Sequence, residues 1–138
     1  MAVMTTRREL IESLAGFALL SGSLQTQPSS PRKAVFEGDL PNVAINGWAV
    51  TALEVNYGPG QSSAAHRHPG ITLAYVLEGE VRSKLDDGPE RTYKAGEMWL
   101  ETPNQLHAVS GNASKTAPAK ILAILLAEKG KPLTTPEK

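Results

Sequence analysis

Three histidines, His66, His68 and His107, are all that the chain contains, and the first two are separated by a single residue. On an extended segment, side chains two positions apart share a face, so both imidazoles can reach one ion. His107 follows the turn around Pro103 and Asn104, where sheet pairing can bring it opposite the first two. The chemistry such a set implies is nitrogen coordination of one divalent transition metal, whether iron, manganese, zinc, nickel or copper. Cysteine is absent, which removes disulfides, thiolate ligands and a cysteine nucleophile, so a metal must be held by nitrogen and oxygen. Glu101 and Tyr75 are the candidate catalytic groups. Glu101, with Gln105, flanks the third histidine and can orient a ligand or move a proton, although its plainer reading is an exposed strand end. Tyr75 and Trp99 fall on expected strands, where an aromatic either walls a pocket or packs the core.

The elements that must position these residues read as strands and turns. From about Val35 onward the apolar runs are short and are interrupted by Gly, Pro, Asn and Asp, the pattern of an all-β sandwich or barrel. Strands are expected over Trp48–Tyr57, Ile71–Leu77, Glu80–Leu85, Arg91–Lys94, Met98–Glu101, Leu106–Val109 and Ile121–Leu126. The run ILAILLA, apolar on both faces, fits a buried strand or a helix by periodicity alone; its length between Lys120 and Gly130 favours the strand. Asp87-Gly88-Pro89 supplies a reversal in which Gly88 is free to take a positive φ. At 138 residues the chain makes one domain, expected over residues 35–130, followed by a loose tail at 131–138.

Lys and Arg total 14, as do Asp and Glu, and no basic cluster tracks a phosphate backbone, which excludes nucleic acid as a partner. Residues 1–24 read as a signal peptide, and Thr6, Arg7, Arg8 and Leu10 resemble the twin-arginine class of bacterial export signals. That reading places the mature protein in the periplasm or outside the cell, with no membrane contact once the signal is removed. The alternative is an amphipathic helix that stays on a cytoplasmic protein. Residues 25–34 form a polar, proline-punctuated linker.

The glycines around the histidines carry a resemblance. Gly60 stands six residues before His66, Gly79 eleven after His68, and Gly96 eleven before His107. These two motifs, in order and in register, resemble the cupin family over roughly Trp48 to Leu126. The resemblance implies a single-domain cupin, a double-stranded β-helix or jelly-roll barrel, with His66, His68 and His107 as ligands. The family's usual fourth ligand, a glutamate four residues after the second histidine, falls on Thr72, and Asn104 replaces a glycine of the second motif. The expected site is therefore three-histidine.

Within that family, three-histidine sites occur in iron(II) dioxygenases that act on oxygen-chelating substrates such as diketones, dihydroxyacetophenones and gentisate. The resemblance therefore implies a metal-dependent dioxygenase taking a small-molecule substrate. A non-redox isomerase or lyase of a sugar acid and a non-catalytic binding module are the alternatives. Barrels of this kind commonly pair, so a homodimer is expected, with Val35–Leu40 as the segment for an exchange.

Overall fold

The computed structural model describes residues 30–138, and those residues form ten strands and no helix. The expected export signal, residues 1–24, lies outside the described residues, as does the first part of the expected linker. The strands are β1 (Trp48–Tyr57), β2 (Ser62–Ser63), β3 (His66–Arg67), β4 (Ile71–Glu78), β5 (Glu80–Leu85), β6 (Arg91–Lys94), β7 (Met98–Glu101), β8 (Leu106–Asn112), β9 (Ala119–Glu128) and β10 (Thr135–Pro136). They build two antiparallel sheets, one in the order β1-β9-β4-β7 and one in the order β10-β3-β8-β5-β6, with β2 also paired to β8. This is the double-stranded β-helix expected from the motifs.

Alternation decides what faces inward. Along β9 the buried residues are Ala119, Ile121, Ala123, Leu125 and Ala127, every second position, which settles ILAILLA as a strand. Its partners on β4 and β7 present Thr72, Ala74, Trp99 and Glu101 to the same side. The core joins Tyr57, Ala74, Val76, Trp99, Ala119 and Ile121 of the first sheet to Val81 of the second. Gly79, between β4 and β5, lets the chain pass from one sheet to the other: its φ is +71°, and a Cβ there would sit 2.5 Å from the Pro118 carbonyl oxygen.

Two expectations are corrected. The tail is not loose: Thr135–Pro136 pairs with His66–Arg67, and Glu137 accepts two hydrogen bonds from the Arg67 guanidinium, at 2.7 and 3.2 Å. Strand pairing and a forked ion pair give this polar segment the partners that composition does not reveal. In the reversal after β5 the positive φ belongs to Asp86 (+48°), not to Gly88, because the Asp86 carboxylate accepts the Leu106 N–H at 2.9 Å and so holds that conformation. Phe36–Leu40, part of the segment expected to exchange between subunits, lies beside Leu73 and Leu100 of the first sheet.

Candidate metal centre

The two short motifs meet through strand register. His66 on β3 is the direct partner of His107 on β8, and His68 follows two residues after His66. Ring centroids lie 4.9 Å apart for His66 and His68 and 5.1 Å apart for His66 and His107. One ring nitrogen from each falls within 4.8 Å of the others.

Local structure aims each ring. His66 Nδ1 lies 2.7 Å from the Ala64 carbonyl oxygen and His68 Nδ1 lies 2.7 Å from that of Leu133. A carbonyl only accepts, so both Nδ1 atoms carry the proton and both Nε2 lone pairs are left free. His107 is bonded on the other nitrogen, its Nε2 standing 2.9 Å from Ser83 Oγ. A bulge fixes its direction: Lys84 pairs with Val109 but Leu85 with His107, so Ala108 is the extra residue. Ser110 and Asn112 already face inward, and strict alternation would turn His107 outward; the additional residue reverses the parity and buries it. The turn before β8 uses Asn104 at φ +62°, a left-handed position that asparagine tolerates where the family pattern has glycine.

Glu101 is the largest departure from expectation. It is not an exposed strand end but 1% exposed, directly opposite Thr72 across the β4–β7 ladder. The Trp99 indole N–H donates to its Oε1 at 2.9 Å. The same oxygen stands 3.2 Å from His107 Nδ1, and Oε2 stands 3.8 Å from His68 Nε2. A carboxylate therefore does reach the triad, from the strand beside the one where the family carries it. Burial alone would raise the Glu101 pKa, but its neighbours His107, Trp99 and His68 outweigh it and hold the carboxyl below its usual range. Burial, reinforced by the neighbouring His107 and His68, likewise holds His66 below the ordinary imidazole value, favouring the neutral ligating form.

Whether an ion fits can be judged from unpaired atoms. Among the described residues, the buried side-chain polar atoms without a hydrogen-bond partner are Thr72 Oγ1, Glu101 Oε2 and His107 Nδ1, all from residues that line one cavity. Orphaned polar atoms are costly in an interior, and here they converge with two free imidazole lone pairs. Nitrogen and carboxylate donors so placed fit a divalent transition metal.

The cavity measures about 390 Å³, and Leu53, Thr134 and Pro136 are among its lining residues. Leu53, Val55, Ile121, Ala123 and Leu125 make an apolar wall, and the lining includes no lysine or arginine. Tyr75 is not in the lining; it lies on the opposite face of β4 from Thr72 and Ala74, its hydroxyl toward Gly96. The cavity's tyrosine is Tyr57, whose hydroxyl lies 3.0 Å from Ser63 Oγ and 2.8 Å from Ser110 Oγ. The alternation of Leu53, Val55 and Tyr57 along an expected strand was the available signal for it.

Residues 53–125, more than half of the chain, match the family model of the cupin domain. The chain belongs to the cupin family. A curated relative is the cupin-domain-containing oxidoreductase fogC of Aspergillus ruber, 30% identical over 88 residues, which are 62% of this cupin and 42% of that protein. This cupin thus spans about two-fifths of the length of the curated relative it matches. Among solved structures it is similar to the DMSP lyase DddQ of Ruegeria pomeroyi (TM-score 0.56, 17% identity, covering 63% of this chain and 42% of that one). It is also similar to an uncharacterized double-stranded β-helix protein of Klebsiella pneumoniae (TM-score 0.53, 25% identity, covering 64% and 76%).

Proposed function

We propose that this cupin is a metal-dependent dioxygenase of a small, largely apolar substrate that chelates through two oxygens. The observation that carries the reading is the pairing of the His66, His68, His107 and Glu101 donor set with an apolar cavity that offers no cationic side chain. A sugar acid or another anion would bring charge with nothing but the metal to receive it. A ring or short chain bearing adjacent oxygens would instead bury its carbon face against Val55, Ile121 and Leu125. A bound redox-active ion would supply Lewis-acid charge for such a chelate and the electrons that activate dioxygen. In the overall reaction a carbon–carbon bond breaks and both oxygen atoms enter the products, so no external reductant is consumed. The name of the curated relative, an oxidoreductase, points the same way.

The protein's own groups divide the remaining work. Ala64, Leu133 and Ser83 orient the three rings, Trp99 holds Glu101, and the wall of β1 and β9 keeps water from the carbon face of the substrate. Tyr57 can donate a hydrogen bond to substrate or hold a proton, being bonded on either side to a serine hydroxyl. That hydroxyl also favours a second reading, a non-redox lyase or isomerase that needs such a placed proton donor.

The test is metal analysis of anaerobically purified protein followed by oxygen uptake with catechols, diketones and hydroxyacetophenones. Iron-dependent uptake supports the dioxygenase. Zinc or manganese with no uptake on any substrate overturns it and leaves the lyase or isomerase. Export through the 1–24 segment and pairing into a homodimer complete the proposal; fractionation of cells and light scattering test them in turn.

A further inference from the structure

We infer that the segment Leu133–Glu137 is a strap that holds His68 in its ligating orientation and closes one side of the cavity, so that docking of the strap and retention of the metal support each other. The inference rests on the reading that the histidines hold an ion. Four observations converge on this segment. The Leu133 carbonyl takes the His68 Nδ1–H at 2.7 Å, and Thr134 Oγ1 lies 3.2 Å from the same nitrogen. Thr135 and Pro136 pair with Arg67 and His66, the strand that carries one ligand and leads directly into the second, His68. The Glu137 N–H donates to the Ala65 carbonyl at 3.0 Å, and its side chain clamps Arg67. Thr134 and Pro136 themselves line the cavity.

The consequence follows from what each bond fixes. His66 gets its Nδ1 acceptor from Ala64, two residues away, and keeps it whatever the rest of the chain does. His68 gets its acceptor from a residue 65 positions distant, and only while the strap is docked. With the strap lifted, the His68 ring is free to rotate and to change tautomer, and the site loses one preset donor. Conversely, an ion that pins His68 Nε2 favours the protonated Nδ1 that the Leu133 carbonyl needs, and so tightens the strap. Coupling of this kind is reciprocal in binding free energy. The clamp beyond it is anchored twice, since Arg67 also donates to the Asn104 carbonyl at 2.8 Å in the turn that precedes His107.

The experiment uses zinc alone, with release to a chelator and amide hydrogen exchange as readouts. Removal of residues 132–138 is expected to speed zinc release about 10- to 100-fold, the range for loss of a group that orients a metal-bound histidine. Glu137→Arg, which sets two guanidinium groups against each other, is expected to speed release less, and the exchanged pair Arg67→Glu with Glu137→Arg to return it toward wild type. Zinc is expected to slow exchange of the Glu137 amide in the intact chain. A shortened chain that melts cooperatively yet releases zinc at the wild-type rate overturns the inference. If the shortened chain does not fold, an unchanged release rate in Glu137→Arg overturns it instead. Glu137 exchange that is indifferent to zinc also overturns it. A wild-type chain that takes up no zinc or iron overturns the metal reading itself, and the inference falls with it.

Discussion

Glu101→Gln separates what the buried carboxylate costs from what it does. Glutamine keeps the size, and its carbonyl can still accept the Trp99 N–H now bonded to Oε1 at 2.9 Å. What disappears is the negative charge 3.2 Å from His107 Nδ1 and 3.8 Å from His68 Nε2. In the metal-free chain Oε2 has no partner, and an unsatisfied buried acceptor costs roughly 1–3 kcal/mol. The substituted amide presents an N–H toward the free lone pair of His68 in its place. The lowered carboxyl pKa works in the opposite sense, since it marks a charge that the fold favours, so metal-free Glu101→Gln should melt close to the wild-type temperature. Zinc affinity should fall about 10- to 100-fold, the usual consequence of losing a carboxylate at a histidine site, equivalent to roughly 1.4–2.8 kcal/mol. The rise in melting temperature on adding zinc should shrink accordingly. Chelator-competition titrations and paired melts with and without zinc read both quantities. A variant that binds zinc as tightly as wild type refutes the argument that this carboxylate serves the site. Moving the carboxylate back, with Thr72→Glu and Glu101→Thr together, should recover part of the affinity, because the two positions face each other across the ladder.

Tyr57→Phe removes a hydroxyl bonded to Ser63 and Ser110 and should cost about 1 kcal/mol in urea denaturation while slowing turnover far more than it alters zinc binding. Tyr75→Phe should leave turnover and zinc affinity unchanged, since its side chain faces away from the cavity; a large loss of either would contradict the placement of β4. Gly70→Ala puts a Cβ 1.9 Å from the Leu126 carbonyl oxygen, a backbone atom that cannot step aside, and should destabilise by roughly 1–3 kcal/mol or more in a thermal melt. Because folding lowers the His66 pKa below 6.5, the unfolded chain takes up a proton that the folded chain refuses. Stability of the metal-free protein should therefore decline as pH falls through that value, and urea melts on either side of it, with His66→Gln showing a shallower decline, check the sign.

The strand framework was legible because each long strand announces its own period. Trp48–Tyr57, Glu80–Leu85, Arg91–Lys94 and Met98–Glu101 form as the alternation and turn residues indicate. The two-residue strands β2, β3 and β10 carry no period, and the strap is held by partners some 65 to 70 positions away, so nothing local reveals it. The triad was legible in its spacing, but the direction of His107 was not: it depends on Ala108 being the extra residue of a bulge, which only the register with β5 discloses. Glu101 was recognisable as a neighbour of His107 in sequence. Its burial follows from lying opposite Thr72, a cross-strand relation that spacing along one strand does not contain.

That cross-strand relation changes what the threonine means. Read along β4 alone, Thr72 is a missing carboxylate, and the site is a triad around an ion that keeps its full charge. Read across the ladder, Thr72 is the small residue that makes room for Glu101, and its unpaired hydroxyl remains in the cavity beside the carboxylate. Two glutamates directly opposite would repel in a buried site, and two threonines would leave His68 and His107 without a negative neighbour. One of each satisfies both conditions, whichever strand carries the charge. The choice made here ties the carboxylate to Trp99, and so to the core, instead of carrying it on β4 at position 72, four residues after His68. A charge so anchored is held beside the histidines, so under the proposed dioxygenase reading Glu101 would steady the metal and its ligands, and proton movement at the substrate would fall to the hydroxyl groups of Tyr57 and Thr72.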